Sequence, residues 1–139
     1  MIKPVVVTAC CLSLVFALPA SAGSGTVKWY VSPNFDVSCQ ISSGGALGTL
    51  AYCQSIKAKQ SGTLHRNGFV KVCKGSRCLG DPAETAKTLK AGKRAFVGPF
   101  ECFGQIPNAI TCFISKTGKG FATSSSGVRK VTIREAMVL

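Results

Sequence analysis

Cysteine is the residue type with the clearest chemistry in this chain. The sequence of 139 residues contains eight cysteines, and two of them, Cys10 and Cys11, are adjacent near the start. The other six are spread through the rest of the chain: Cys39, Cys53, Cys73, Cys78, Cys102 and Cys112. Paired thiols form disulfides in an oxidising compartment and are available to bind metal in a reducing one. The compartment therefore decides their chemistry.

The first 22 residues have the pattern of a secretory signal peptide. Lys3 precedes an apolar run over residues 5–18, and the small residues Ala-Ser-Ala follow at 20–22. We expect cleavage after Ala22, which leaves residues 23–139 as a single domain that is secreted or held in the periplasm or cell envelope. Residues 7–10 resemble a lipoprotein cleavage site, but the apolar segment before them is too short. No later run is long and apolar enough to span a membrane.

The six remaining cysteines are predicted to form three disulfides. Six cysteines allow fifteen pairings, and the sequence alone does not choose among them. Spacing favours pairing in chain order, because each successive pair then flanks a turn or a short loop. Those pairs are Cys39 with Cys53, Cys73 with Cys78, and Cys102 with Cys112. Zinc is the alternative, but the spacing is poor for a zinc site and no histidine stands nearby, so we expect no metal and no cofactor.

The rest of the chain predicts an all-β fold. Short runs of alternating apolar and polar residues, such as 35–41 and 69–73, are separated by turn signals. We expect a small disulfide-stabilised sandwich or barrel of short antiparallel strands, without an internal repeat. Residues 57–67 are predicted to be an exposed loop. A short helix is predicted near residues 82–91, with Asp81 as its N-cap.

Candidate catalytic groups are few. His65, the single histidine, is predicted to lie in a polar loop between Leu64 and Arg66, and no serine has the surroundings of a nucleophile elbow. Asp36 and Glu101 could in principle act as a carboxylate pair on a glycoside, but nothing in their spacing supports this. The sequence therefore favours a protein that is not an enzyme.

Positive charge is the property with the most bearing on function. Lysine and arginine number 17 against 5 acidic residues, for a net charge of +12. Such an excess attracts anionic polymers and surfaces. One group of cations is clustered in sequence and is the predicted site of electrostatic binding: Lys57, Lys59, Arg66, Lys71, Lys74 and Arg77.

Several cysteine-containing segments resemble a known family. Residues 31–41 carry Ser-Pro-Asn before Cys39, residues 98–102 read Gly-Pro-Phe-Glu-Cys, and Thr-Gly-Lys-Gly-Phe follows Cys112 at residues 117–121. Over residues 29–127 the chain resembles small secreted actinobacterial proteins that are catalogued only as a domain of unknown function. The resemblance implies a secreted, disulfide-bonded, β-rich domain and supplies no catalytic residues.

These observations predict a non-catalytic binding module for an anionic envelope or extracellular partner. That partner could be an anionic polymer, a lipid surface or an extracellular protein. The alternative is a secreted inhibitor or toxin that engages a protein target through a disulfide-held loop. Residues 57–67 and 73–82 are the candidate loops for that alternative.

Overall fold

Eleven β-strands build most of the protein in its computed structural model, which describes residues 24–137. The predicted signal peptide and its cleavage site after Ala22 lie outside these residues. The elements, in chain order, are β1 (Thr26–Val31), β2 (Val37–Ser43), β3 (Leu50–Ser55), β4 (Gln60–His65), β5 (Val70–Lys74), a 3-10 turn (Ser76–Cys78), β6 (Lys87–Thr88), β7 (Arg94–Val97), β8 (Phe100–Gln105), β9 (Ala109–Ile114), β10 (Lys119–Ser124), β11 (Gly127–Thr132) and α1 (Ile133–Met137).

The strands form two sheets that face each other as a sandwich. The first sheet has the order β5-β4-β3-β2-β1-β6 and the second the order β11-β10-β9-β8-β7. Consecutive strands pair antiparallel in each sheet, and the short β6 adds to β1 in parallel. The predicted all-β sandwich is confirmed, and the two sheets do not close into a barrel.

The alternation of apolar and polar residues places the core between the sheets. Val37, Cys39 and Ile41 on β2 point inward and are buried, as residues two apart on a strand share one face. The second sheet contributes Phe100 and Phe121, both fully buried. A smaller apolar cluster lies on the outer face of the second sheet, where Ala136 of α1 packs with Phe103, Phe113, Ala122 and Val131.

Each sheet contains a five-stranded meander, and the two meanders are structural repeats. Strands β3 and β9 begin at Leu50 and Ala109, and β4 and β10 begin at Gln60 and Lys119, so both pairs are offset by 59 residues. Gln60 packs against Gly127, and Lys119 packs against Gly68, at the same offset. Such reciprocal contacts indicate an approximate twofold relation. This correspondence is one of strand topology and contacts, and the prediction that the sequence has no internal repeat stays a prediction.

The prediction of a short helix near residues 82–91 was wrong. This segment crosses the outer face of the first sheet from Gly80, which is bonded to Gln54 on β3, to Lys87, which pairs with Tyr30 on β1. It must cross three strand spacings, about 14 Å, whereas seven helical residues rise only about 10 Å. An extended chain covers the distance, and the one short helix of the described residues is α1.

The predicted loop over residues 57–67 is mostly strand. Residues 60–65 form β4, which is paired on both sides, with β3 and with the edge strand β5. At its start, Gln60 also accepts a hydrogen bond from the Val128 N–H of the second sheet, at 3.0 Å. Only the tight turns 56–59 and 66–69 remain outside the strands.

Candidate binding surface

Three disulfides link the cysteines in chain order, as their spacing favours. Cys39 and Cys53 are directly opposite on β2 and β3, and Cys102 and Cys112 are directly opposite on β8 and β9. The third bridge joins the partly exposed Cys73 to Cys78 and closes the 3-10 turn after β5. The sulfur atoms of Cys39, Cys53 and Cys112 lie within 4.8 Å of one another, but all three are already in disulfides.

The turns gather at two opposite ends of the sandwich. Gly98, between β7 and β8, packs on Ser43 at the end of β2, which aligns the two sheets. One end carries the turns at residues 32–36, 56–59, 106–108 and 125–126, and we call it the Phe35 end. The other carries the turns at residues 44–49, 66–69, 98–99 and 115–118, and we call it the Phe69 end.

The six predicted binding cations are divided by this arrangement. Lys57 and Lys59 lie in the β3–β4 turn, and Lys74 lies at the end of β5. The Gly75 N–H donates to the Lys59 carbonyl at 2.7 Å, which holds the Cys73–Cys78 loop and Arg77 beside that turn. Lys57, Lys59, Lys74 and Arg77 are therefore together at the Phe35 end, and all are exposed.

The two remaining cations lie elsewhere. Lys71 is the second residue of β5, and Arg66 is in the β4–β5 turn at the Phe69 end. A strand of six residues separates Arg66 from Lys59, which corresponds to roughly 20 Å. The predicted cluster is thus one group of four with two outlying members, because a sequence run that contains a hairpin sends its charges to both ends of the strands.

Almost all of the positive charge lacks an acidic partner. Sixteen of the 17 lysine and arginine residues fall within residues 24–137. Of these, Arg94 forms an ion pair, with the buried carboxylate of Glu101. The other fifteen have no carboxylate at ion-pair distance among the described residues, so their charge is available to an external anion.

Exposed apolar side chains accompany the cations of the Phe35 end, and the sequence patterns considered above do not single them out. Phe35 is 67% exposed, Ile56 is 45% exposed and Ile106 is 85% exposed. All three lie in turns, on both sheets, at this one end. An apolar residue inside a turn is the sequence signal that could have found them, since turns are normally polar.

The backbone at Phe35 is held in a conformation unusual for a bulky residue. Its φ is 60°, in the left-handed region. The Phe35 N–H donates to the Ser32 carbonyl at 2.9 Å. Asn34 Oδ1 accepts from the Ser32 hydroxyl at 2.7 Å, and Ser32 Oγ in turn accepts from the Val37 N–H at 3.0 Å. The buried Ser32 therefore fixes this turn from within. The alternation over residues 35–41 predicts a strand that includes Phe35, but β2 begins only at Val37.

Asp36 joins the Phe35 turn to the basic turn next to it. Its carboxylate accepts hydrogen bonds from the Lys57 backbone N–H at 2.7 Å and from Ser55 Oγ at 3.2 Å. The Ile56 N–H also donates to the Asp36 carbonyl at 2.9 Å. The Asp36 carboxylate thus fixes Lys57, and the Asp36 carbonyl fixes Ile56, in the turn beside Phe35.

The candidate catalytic residues are not brought together. Asp36 is bound into the turns of the first sheet, whereas Glu101 is paired with Arg94 on the outer face of the second. His65 is the last residue of β4 rather than part of a loop, and its ring stacks on Phe69 with centroids 5.8 Å apart. These three groups have structural partners and do not converge on a common cleft.

Two titratable groups have pKa values displaced by local structure. Burial raises the pKa of Tyr30, which packs against the core. The backbone N–H of Thr132 lowers the pKa of Glu135 by donating to its carboxylate at 2.8 Å. Thr132 Oγ1 lies 3.5 Å from the Glu135 N–H, which completes a capping box at the start of α1. Both displacements have causes in the fold.

None of the helices within residues 24–137 combines the length and the apolar character needed to cross a membrane. No family model matches this chain, and neither a search of curated proteins nor a search of solved structures finds a match. The resemblance to the actinobacterial family therefore stays a prediction.

Proposed function

We propose that the protein is a secreted or envelope-located, non-catalytic binding module that recognises an anionic partner through the cations of its Phe35 end. The observation that carries this proposal is the number of unpaired cations, fifteen of the sixteen within residues 24–137. Four of them are next to one another at a single end. A group of exposed cations attracts phosphate, sulfate or carboxylate groups and speeds encounter with them.

Rigidity supports the same function. The four cations are attached to turns that are tied to one another by backbone hydrogen bonds and by the Cys73–Cys78 disulfide. A preorganised set of charges loses less conformational entropy on binding than charges on a flexible tail. The arrangement therefore favours contact with a partner that presents several anionic groups.

The test compares two variants of equal net charge. One is K57Q/K59Q/K74Q/R77Q, which neutralises the Phe35 end. The other is R66Q/K116Q/K119Q/K130Q, which neutralises four cations at or near the Phe69 end. Each is titrated with DNA and with an acidic glycan at several salt concentrations.

We expect the first variant to bind more weakly and its salt dependence to flatten by about one unit of slope for each phosphate that the protein no longer binds. The second should retain most of the affinity. Equal weakening in both variants would show that only net charge matters, and binding that is independent of salt would contradict the proposal.

One observation favours the alternative of a secreted inhibitor or toxin. The Cys73–Cys78 bridge holds residues 74–77 as a small loop in which every residue is exposed. A cyclic peptide of residues 73–78 that competes with the whole protein for a protein target would favour this function. If the function is electrostatic alone, the cyclic peptide competes no better than a linear peptide of the same charge.

A further inference from the structure

The exposed apolar residues of the Phe35 end narrow the chemistry of the partner. A soluble anionic polymer such as duplex DNA or an acidic glycan is bound chiefly through its charges, and it has no apolar interior for Phe35 and Ile56 to enter. A bilayer containing anionic lipid offers both, with phosphates at its surface and acyl chains beneath them. We infer that the Phe35 end binds anionic bilayers, with Phe35 and Ile56 entering the acyl region and the neighbouring cations contacting lipid phosphates. This inference rests on the proposed function and assigns its partner.

A backbone hydrogen bond places the two apolar residues in adjoining turns. The Ile56 N–H donates to the Asp36 carbonyl at 2.9 Å, so Ile56 is beside the residue that follows Phe35. The exposed fractions are 67% for Phe35 and 45% for Ile56. Neither side chain is needed to fill the core, which is formed by other residues.

The conformation of Phe35 supports a role outside the fold. A left-handed backbone is uncommon for a bulky residue, whereas glycine and asparagine adopt it more readily. Strain of this kind persists where the surrounding structure fixes it, and it is concentrated at functional sites. Here the hydrogen bonds of Ser32 and Asn34 fix the turn, and the phenyl ring is directed to solvent.

The cations are placed to contact lipid headgroups around the inserted side chains. Lys57 directly follows Ile56, and Lys59 ends the same turn with a φ of 53°. Lys74 and Arg77 flank this turn through the bond from the Gly75 N–H to the Lys59 carbonyl. Asp36, the acid within these turns, is engaged by Ser55 and the Lys57 backbone. Asp81 and Glu84 lie in the segment that crosses the outer face of the first sheet and carry the nearest other negative charges along the chain.

The first experiment measures binding of oxidised protein to vesicles. The protein begins at Gly23, since the core and all three disulfides lie within residues 24–137 and the apolar residues 5–18 would bind lipid by themselves. Vesicles of phosphatidylcholine alone are compared with equimolar phosphatidylcholine and phosphatidylglycerol. We expect binding only to the anionic vesicles, and a loss of about fivefold for each of the four cations that is neutralised.

Insertion of the Phe35 end into the bilayer is tested with a tryptophan at position 35. F35W is compared with L47W, since Leu47 is 50% exposed in a turn at the opposite end. Brominated acyl chains in anionic vesicles should quench F35W strongly and leave L47W similar to the unmodified protein, whose single tryptophan is Trp29. Absence of quenching in F35W, or equal quenching in both variants, would overturn the inference.

A third variant separates this inference from the proposed function. F35N/I56S keeps every charge, so its binding to DNA or acidic glycan should be unchanged, while its partition onto anionic vesicles should fall at least tenfold. F96S, at an exposed position on β7, is the matched control and should bind vesicles normally.

If the protein binds acidic polymers but not anionic vesicles, the lipid inference fails and the proposed function stands. If it binds neither, both fail. Circular dichroism of each variant establishes that the fold is retained.

Discussion

The sulfur atoms of Cys53 and Cys112 lie 3.8 Å apart at the centre of the sandwich, although they belong to different disulfides. Each bridge links the second and third strands of one meander. The two residues are also equivalent positions of the 59-residue repeat. The twofold relation therefore brings the two bridges into contact in the core, where Cys53 and Cys112 have no exposed surface.

This burial predicts that the three disulfides differ in their access to reductant. Cys73 and Cys78 are partly exposed, whereas the other four cysteines are buried. Because thiol–disulfide exchange needs direct attack on a sulfur atom, mild dithiothreitol should reduce the Cys73–Cys78 bridge alone in the folded protein. Alkylation followed by peptide mass spectrometry should then find label on these two cysteines. Label on Cys53 or Cys112 under the same conditions, with the fold intact, would contradict the prediction.

Gly62 is predicted to be intolerant of any side chain. A Cβ at this position would lie 2.7 Å from Val128 Cγ1 and 2.8 Å from Phe121 Cδ2. We expect G62A to lower the free energy of unfolding by about 1–3 kcal/mol through overpacking, as measured by urea denaturation. G80A is the control, because a Cβ at Gly80 meets no atom within 4 Å. F121L should restore part of the stability in the G62A background, and a G62A variant as stable as G80A would refute this packing.

Phe35 is predicted to reduce the stability of the protein that carries it. Asparagine tolerates the left-handed backbone better than phenylalanine, and little apolar burial is removed at a side chain that is 67% exposed. F35N should therefore raise the free energy of unfolding by about 1 kcal/mol. F96N, at an exposed strand position, should bring no such gain. A clear loss of stability in F35N would show that the ring contributes to folding.

The capping box of α1 predicts a dependence on pH. The Thr132 N–H lowers the pKa of Glu135 in the folded state. This interaction therefore stabilises α1 fully at pH values above the ordinary pKa of glutamate. The stabilisation disappears as the pH falls through the lowered value. The amide resonance of Thr132 should report a titration with a midpoint below that of an unstructured glutamate. In E135Q that titration should be absent. A midpoint above the ordinary pKa of glutamate would contradict the prediction.

Much of the fold follows from the sequence because one face of each sheet is buried. Alternation identifies β2 through Val37, Cys39 and Ile41, and turn residues mark the ends of the hairpins. Two of the disulfide pairs lie across these hairpins and the third closes a short turn, so their order follows from the same pattern. The cations near Lys57 and Lys59 can be found in the same way, because charge is directly visible in sequence.

Other features depend on contacts between distant segments. Strand β4 is polar except at Leu64, and its inward position at Gly62 is filled from the other sheet by Phe121. The correspondence between the two meanders is not visible in the sequence, because equivalent positions carry different residues. Gly62 and Phe121, which are 59 residues apart, complement each other in size. Alternation places Phe35 in a strand because it cannot reveal that Ser32 and Asn34 close a turn around this residue.

No disulfide joins the two sheets, so no covalent bond other than the polypeptide itself connects them in the described domain. A single cut in residues 89–93, between β6 and β7, would therefore produce two internally cross-linked fragments held together only by noncovalent contacts, among them the core packing and the hydrogen bond from the Val128 N–H to Gln60. Denaturant without reductant should separate them, and dilution should allow them to reassemble. Each sheet thus behaves as a separately cross-linked unit, and the peptide segment between β6 and β7 is the covalent connection between the two units.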